Sequence, residues 1–93
     1  MSDTQAVIAT LIGRDVAFEK AVQTLIGSPQ KEPLALTEVM RTNFQLAKQQ
    51  IPGRLREHEV PDTLLPLAEG SFALATTAVL RGVASGKYVS PAR

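Results

Sequence analysis

Large apolar residues recur at helical steps in three stretches of this chain, and polar clusters holding proline or glycine separate them. The last stretch is the most informative. Between Asp62 and Ala84 the only other charges are Glu69 and Arg81. Leu65, Phe72 and Val79 recur every seven residues, and so do the small residues Ala68, Ala75 and Gly82. On an α-helix the two series form adjacent rows of one stripe, so a neighbouring helix can press into the small row while the large row fills the space beside it. Leu64, Leu67, Leu74 and Leu80 widen the apolar surface beyond that stripe, which is the pattern of a buried helix.

The first stretch predicts a helix over residues 4–27. Ile8, Leu11, Phe18, Val22 and Leu25 set its expected inward face, broken where Asp15 falls between Leu11 and Phe18. Gly13 and Asp15 leave two readings. Either Gly13 ends one helix and Asp15 caps the next, or one helix runs through and Asp15 is a polar residue on the seam; the continuous helix is favoured. Thr-Leu-Ile-Gly occurs at 10–13 and again at 24–27, too short a recurrence to define a repeat architecture. Gly27 and Pro29 predict the stop, with Gly27 in the left-handed position.

A second helix is expected over residues 37–51, with Thr37 as its N-cap and Glu38 complementing its dipole. Met40, Phe44, Ala47 and Ile51 make its apolar stripe, and Pro52-Gly53 reads as its end. Residues 54–61 then read as an exposed, charged connection anchored by Leu55 and Val60. Asp62 is expected to cap the third helix, 62–84, with Pro66 in the first turn and Gly86 at the end. Residues 87–93 form a short tail, to be laid back on the bundle by Tyr88 and Val89. The expected fold is a single all-α domain of three main helices, possible as four, with a long apolar C-terminal helix.

Size changes what that fold must do. In 93 residues three helices cannot cover an apolar helix on every side, so the reading favours a helical homodimer. Its interface is expected at Leu65, Ala68, Phe72, Ala75, Val79 and Gly82. Ten basic and nine acidic residues give a net charge of +1, which argues against a dedicated nucleic-acid binder or a polybasic membrane anchor. Pro66, Glu69, Gly70 and Arg81 make the third helix a poor membrane span. The N-terminus has no basic region like that of a secretory signal, and the chain has no cysteine, so a cytoplasmic location is expected.

Candidate chemistry is thin. His58 is the sole histidine and lies between Glu57 and Glu59; adjacent residues do not converge on one point from a helix, and no second histidine completes a zinc site. No serine has a base partner beyond His58, and no phosphate loop is present. The chain is therefore read as no enzyme, with no cofactor and no metal. What remains is protein–protein interaction: a small regulator that modulates or sequesters a larger partner, such as an anti-activator of a transcription factor or an enzyme inhibitor. Phe18, Met40 and Phe44 are the expected apolar anchors, with Arg41 and Lys48 beside them. The alternatives are a dimeric DNA-binding regulator using Arg41, Lys48, Arg54 and Arg56, and a structural assembly subunit.

Overall fold

The computed structural model describes residues 3–29 and 31–88, and these form an all-helical bundle with no strand among them. α1 is Asp3–Gly27, α2 Pro33–Lys48, α3 Ile51–Glu57 and α4 Leu65–Ala84, the last preceded by a 3-10 turn at Asp62–Leu64. α1 runs unbroken through Gly13, and Asp15 is exposed rather than on a seam. Glu19 meets Arg54 and Thr24 meets Asn43, so α2 and α3 run back along α1. Phe44 touches Phe72 and Pro33 lies near Gly86, so α4 in turn runs against α2. α1 and α4 therefore lie side by side in the same direction.

Two boundaries differ from expectation because proline starts helices here instead of stopping them. α2 begins at Pro33, not Thr37: Glu32 is the N-cap and its carboxylate accepts from the Ala35 N–H at 3.1 Å. Proline fits a first turn because its missing N–H would have no helical partner there and its φ is already set. The Thr37 hydroxyl instead donates back to the Pro33 carbonyl at 2.7 Å. In the same way Pro52 sits in the first turn of α3, so residues 51–57 are helical and the exposed connection shrinks to the few residues after Glu57. Leu55 and Val60 do anchor this segment and are buried. Asp62 makes no capping bond: it opens the 3-10 turn, whose N-cap is Pro61. Gly27 ends α1 without a left-handed φ, which among the glycines described belongs to Gly86.

The larger correction concerns which side of α1 faces inward. Its buried residues are Ala9, Ile12, Gly13, Val16, Ala17, Ala21 and Thr24. Leu11, Phe18 and Val22 are exposed, and Ile8 and Leu25 lie at the edge of the core. The cause is close packing. A β-carbon on Gly13 would collide with the Ala68 carbonyl oxygen and come within 3.1 Å of the Phe72 nitrogen. With the two backbones that near, only alanine-sized residues fit along most of the contact, and the large side chains are displaced to its flanks. Ser71 reinforces the contact by donating to the Thr10 carbonyl at 2.7 Å.

The stripe on α4 is thereby used within the chain. Ala68, Phe72, Ala75, Val79 and Gly82 are buried and Leu65 is half-buried, under α1, α2 and, at Gly82, the ring of Tyr88. Those six residues do not form an open dimer seam. Val89 and the rest of the expected tail lie outside the described residues.

Candidate functional site

Displacing the large residues of α1 creates the principal surface feature. Phe18 from α1 stands beside Leu67 and Leu74 from α4, all three exposed, with Leu74 at 77%; Leu11 and Val22 are exposed elsewhere on α1, Val22 on a separate cleft with Asp15 and Glu19. Between the helices runs a groove of about 700 Å³. Thr10, Arg14 and Phe18 form one wall; Pro66, Leu67 and Leu74 form the other, and Gly70 and Ser71 line it from α4. No neighbouring group lies within 4 Å of where a Gly70 β-carbon would be, so the backbone is open to approach there. The Arg14 guanidinium lies over the Phe18 ring, 5.6 Å from its centroid, a cation–π distance. Apart from Thr10, Arg14 and Ser71 the lining is apolar.

The expected partner anchors divide across this architecture. Phe18 is at the surface, 40% exposed, on the groove wall. Met40 and Phe44 are 0% and 3% exposed and belong to the core, so they cannot serve as surface anchors. The helical stripe that singled them out is real, but it is the inward one. Arg41 and Lys48 are exposed on α2, away from Phe18, beside a smaller cleft lined by Glu69 and Leu80. Leu74 and Leu67 were missed because an apolar helix does not reveal which of its leucines its own chain leaves uncovered. The steric demand of Gly13 was the signal that could have oriented α1.

The cations of the DNA-binding alternative are partly engaged. Arg54 donates to both oxygens of Glu19, at 2.9 and 3.2 Å. That hydrogen bond chiefly lowers the Glu19 carboxyl below the ordinary glutamate range, and the same bond raises Arg54. Arg41 lies 3.8 Å from Glu38. Lys48 and Arg56 have no ion-pair partner among the described residues.

Nothing described gathers reactive groups. His58 caps the C-terminus of α3 and is exposed. Among the described residues no cluster of His, Cys, Asp and Glu could hold a metal, and no buried side-chain nitrogen or oxygen lacks a hydrogen-bond partner. Thr24 illustrates the satisfied polar core: its hydroxyl donates to Lys20 and accepts from Asn43. By length and composition alone, Asp62–Ala84 could also cross a membrane. Core helices of bundles share that property, and eight residues of α4 are buried here. Comparison with known proteins gives no match to this chain, whether from a family model, a curated protein or a solved structure.

Proposed function

We propose that this protein is a non-catalytic interaction module of the kind that regulates or sequesters other polypeptides, and that it docks through the α1/α4 face. The observation that carries this reading is the set of exposed apolar side chains lining one groove: Phe18 opposite Leu67 and Leu74. Contiguous apolar surface of this kind is costly in water and marks binding surfaces. Its groove has the shape that accepts the apolar side of a helix, with anchors at helical spacing. Helices packed as closely as α1 and α4 make a rigid platform, which lowers the entropy lost on binding.

The test is a photo-crosslinking amino acid placed at position 74 in the intact chain, with position 57 on exposed α3 as the reference. Protein adducts at 74 and none at 57 are expected. Equal labelling at both positions, or no protein adduct at 74, would defeat the reading.

A further inference from the structure

We infer that the occupant of the α1/α4 groove is an amphipathic helix of another protein, which seats a large apolar side chain at Gly70 and holds a carboxylate toward Arg14. This rests on the docking reading above and names the chemistry of the partner. The first observation is the shape of the α4 wall. Leu67, Gly70 and Leu74 follow one another at steps of three and four, so they share one face of the helix. Both leucines are exposed, whereas a β-carbon added at Gly70 would meet nothing within 4 Å. The wall is therefore a ridge with a notch between two leucines. A large side chain from a facing helix fits such a notch, as ridges fit grooves wherever helices pack.

Charge is the second observation. Three polar side chains line the groove, and two are engaged within the chain. The Thr10 hydroxyl donates to the Ala6 carbonyl at 3.0 Å, and the Ser71 hydroxyl to the Thr10 carbonyl at 2.7 Å. The third is Arg14, which is exposed, is the only charge in the lining and has no ion-pair partner among the described residues. Its guanidinium lies over the Phe18 ring, which holds it at the groove wall and leaves its N–H groups for an acceptor. Gly13 lies against Ala68 and Phe72, so Arg14 and Gly70 stand at nearly the same height across the groove. On the far side of Phe18 the neighbouring cleft holds Asp15 and Glu19, and Glu19 is already paired with Arg54. Those carboxylates repel acid placed outside the groove. A complementary partner therefore carries its carboxylate at Arg14, beside the residue that enters the notch.

Dimension decides between a helix and a slender ligand. The α1 wall runs from Thr10 to Phe18, about 12 Å of helix. That length matches apolar anchors spread over two turns of a docked helix. A small-molecule pocket encloses most of its ligand, but here Leu74 stands 77% exposed on the rim. An acyl chain on the groove floor leaves that leucine in water, whereas a helix about 10 Å across covers both walls.

The test is selection of displayed helical peptides of randomised sequence on the full chain, wild type against Gly70→Leu and Arg14→Glu. Both substitutions fall at exposed positions, and circular dichroism checks that each variant keeps the fold. On wild type the enriched peptides are expected to share apolar residues at helical spacing, with one Asp or Glu within a turn of the central one. Gly70→Leu fills the notch and should abolish binding of a selected peptide. Arg14→Glu should weaken the same peptide by about tenfold or more and, in its own selection, enrich Lys or Arg where the acid stood.

Enriched peptides that lack the acid, or that keep it against Arg14→Glu, overturn the proposal and leave the docking face with another occupant. Peptides that bind Gly70→Leu as tightly as wild type do the same. So does a dimer of the chain alone that Leu74→Asp dissolves, because a second copy then fills the groove. No enrichment on wild type removes the docking reading as well.

Discussion

Gly13 lies against the carbonyl of Ala68, so close that a β-carbon on Gly13 could not be accommodated unless the α1 and α4 backbones separated. The obstacle is a main-chain oxygen held in a helix, not the tip of a side chain that could rotate away. Gly13→Ala gains about 1 kcal/mol of helix propensity yet is expected to destabilise the protein by about 1–3 kcal/mol through overpacking. Gly70→Ala is the matched control: its β-carbon meets nothing within 4 Å. It should stabilise by roughly 0.5–1 kcal/mol. Urea denaturation of both variants checks the pair, and shifts of the same sign would contradict the packing described here.

That contact also explains what could and could not be read from the chain. The three long helices were legible from their periodicity, and so was a close approach at Ala68, although Gly82 of the same small row lies under the Tyr88 ring instead. The helix that makes the approach was not. Hydrophobic size favoured Leu11, Phe18 and Val22 as the inward face of α1, whereas a close helix pair buries its smallest residues. Met40 and Phe44 were read from the same stripe as both core and anchor, and burial assigns them to the core. The starts of α2 and α3 were missed because Pro33 and Pro52 have opposite effects in a first turn and in a helix interior. The apolar groove between Phe18 and Leu67 and Leu74 follows from the reversed orientation of α1 and could not be located before it.

Phe44 and Phe72 form the aromatic contact between α2 and α4, with ring centroids 6.1 Å apart and planes at 80°. Both are nearly fully buried. Phe72→Ala should cost about 3–5 kcal/mol. In a double-mutant cycle with Phe44→Leu and Phe72→Leu, a coupling of about 0.5–1.5 kcal/mol is expected from the edge-to-face geometry. Additive losses would show that the rings contribute only their buried area.

Gly86 ends α4 with a φ of 79°. The Gly86 N–H donates to the Val83 carbonyl at 3.0 Å and the Lys87 N–H to the Gly82 carbonyl at 2.9 Å. This bond pair is the Schellman closure, in which a left-handed residue satisfies the last free carbonyls of a helix. Gly86→Ala places a β-carbon in the left-handed region and should destabilise by about 1–2 kcal/mol. Gly86→Asn should lose less, since asparagine tolerates that conformation. Thermal melts that rank alanine at or above asparagine would contradict this account.

Glu19 and Arg54 tie α1 to α3 at the surface, and their contribution has a defined pH dependence. The Arg54 hydrogen bond is the main cause that lowers the Glu19 carboxyl; desolvation opposes it, and the charges of Arg54 and Lys20 add to the lowering. A carboxyl lowered in the folded state contributes stability that is fully present above the ordinary glutamate value. That contribution is lost as pH falls through the lowered value, because the unfolded chain takes up the proton first. Arg54 is raised, so it stays charged throughout this acid range. The Glu19 side chain is about half exposed, so solvent screening limits the coupling to roughly 0.5 kcal/mol. A double-mutant cycle of Glu19→Gln and Arg54→Gln at neutral pH and low salt should return that value, shrinking in concentrated salt and vanishing in strong acid. A coupling that survives protonation of Glu19 would mean that the contact between α1 and α3 is held by packing of the Arg54 stem rather than by the ion pair.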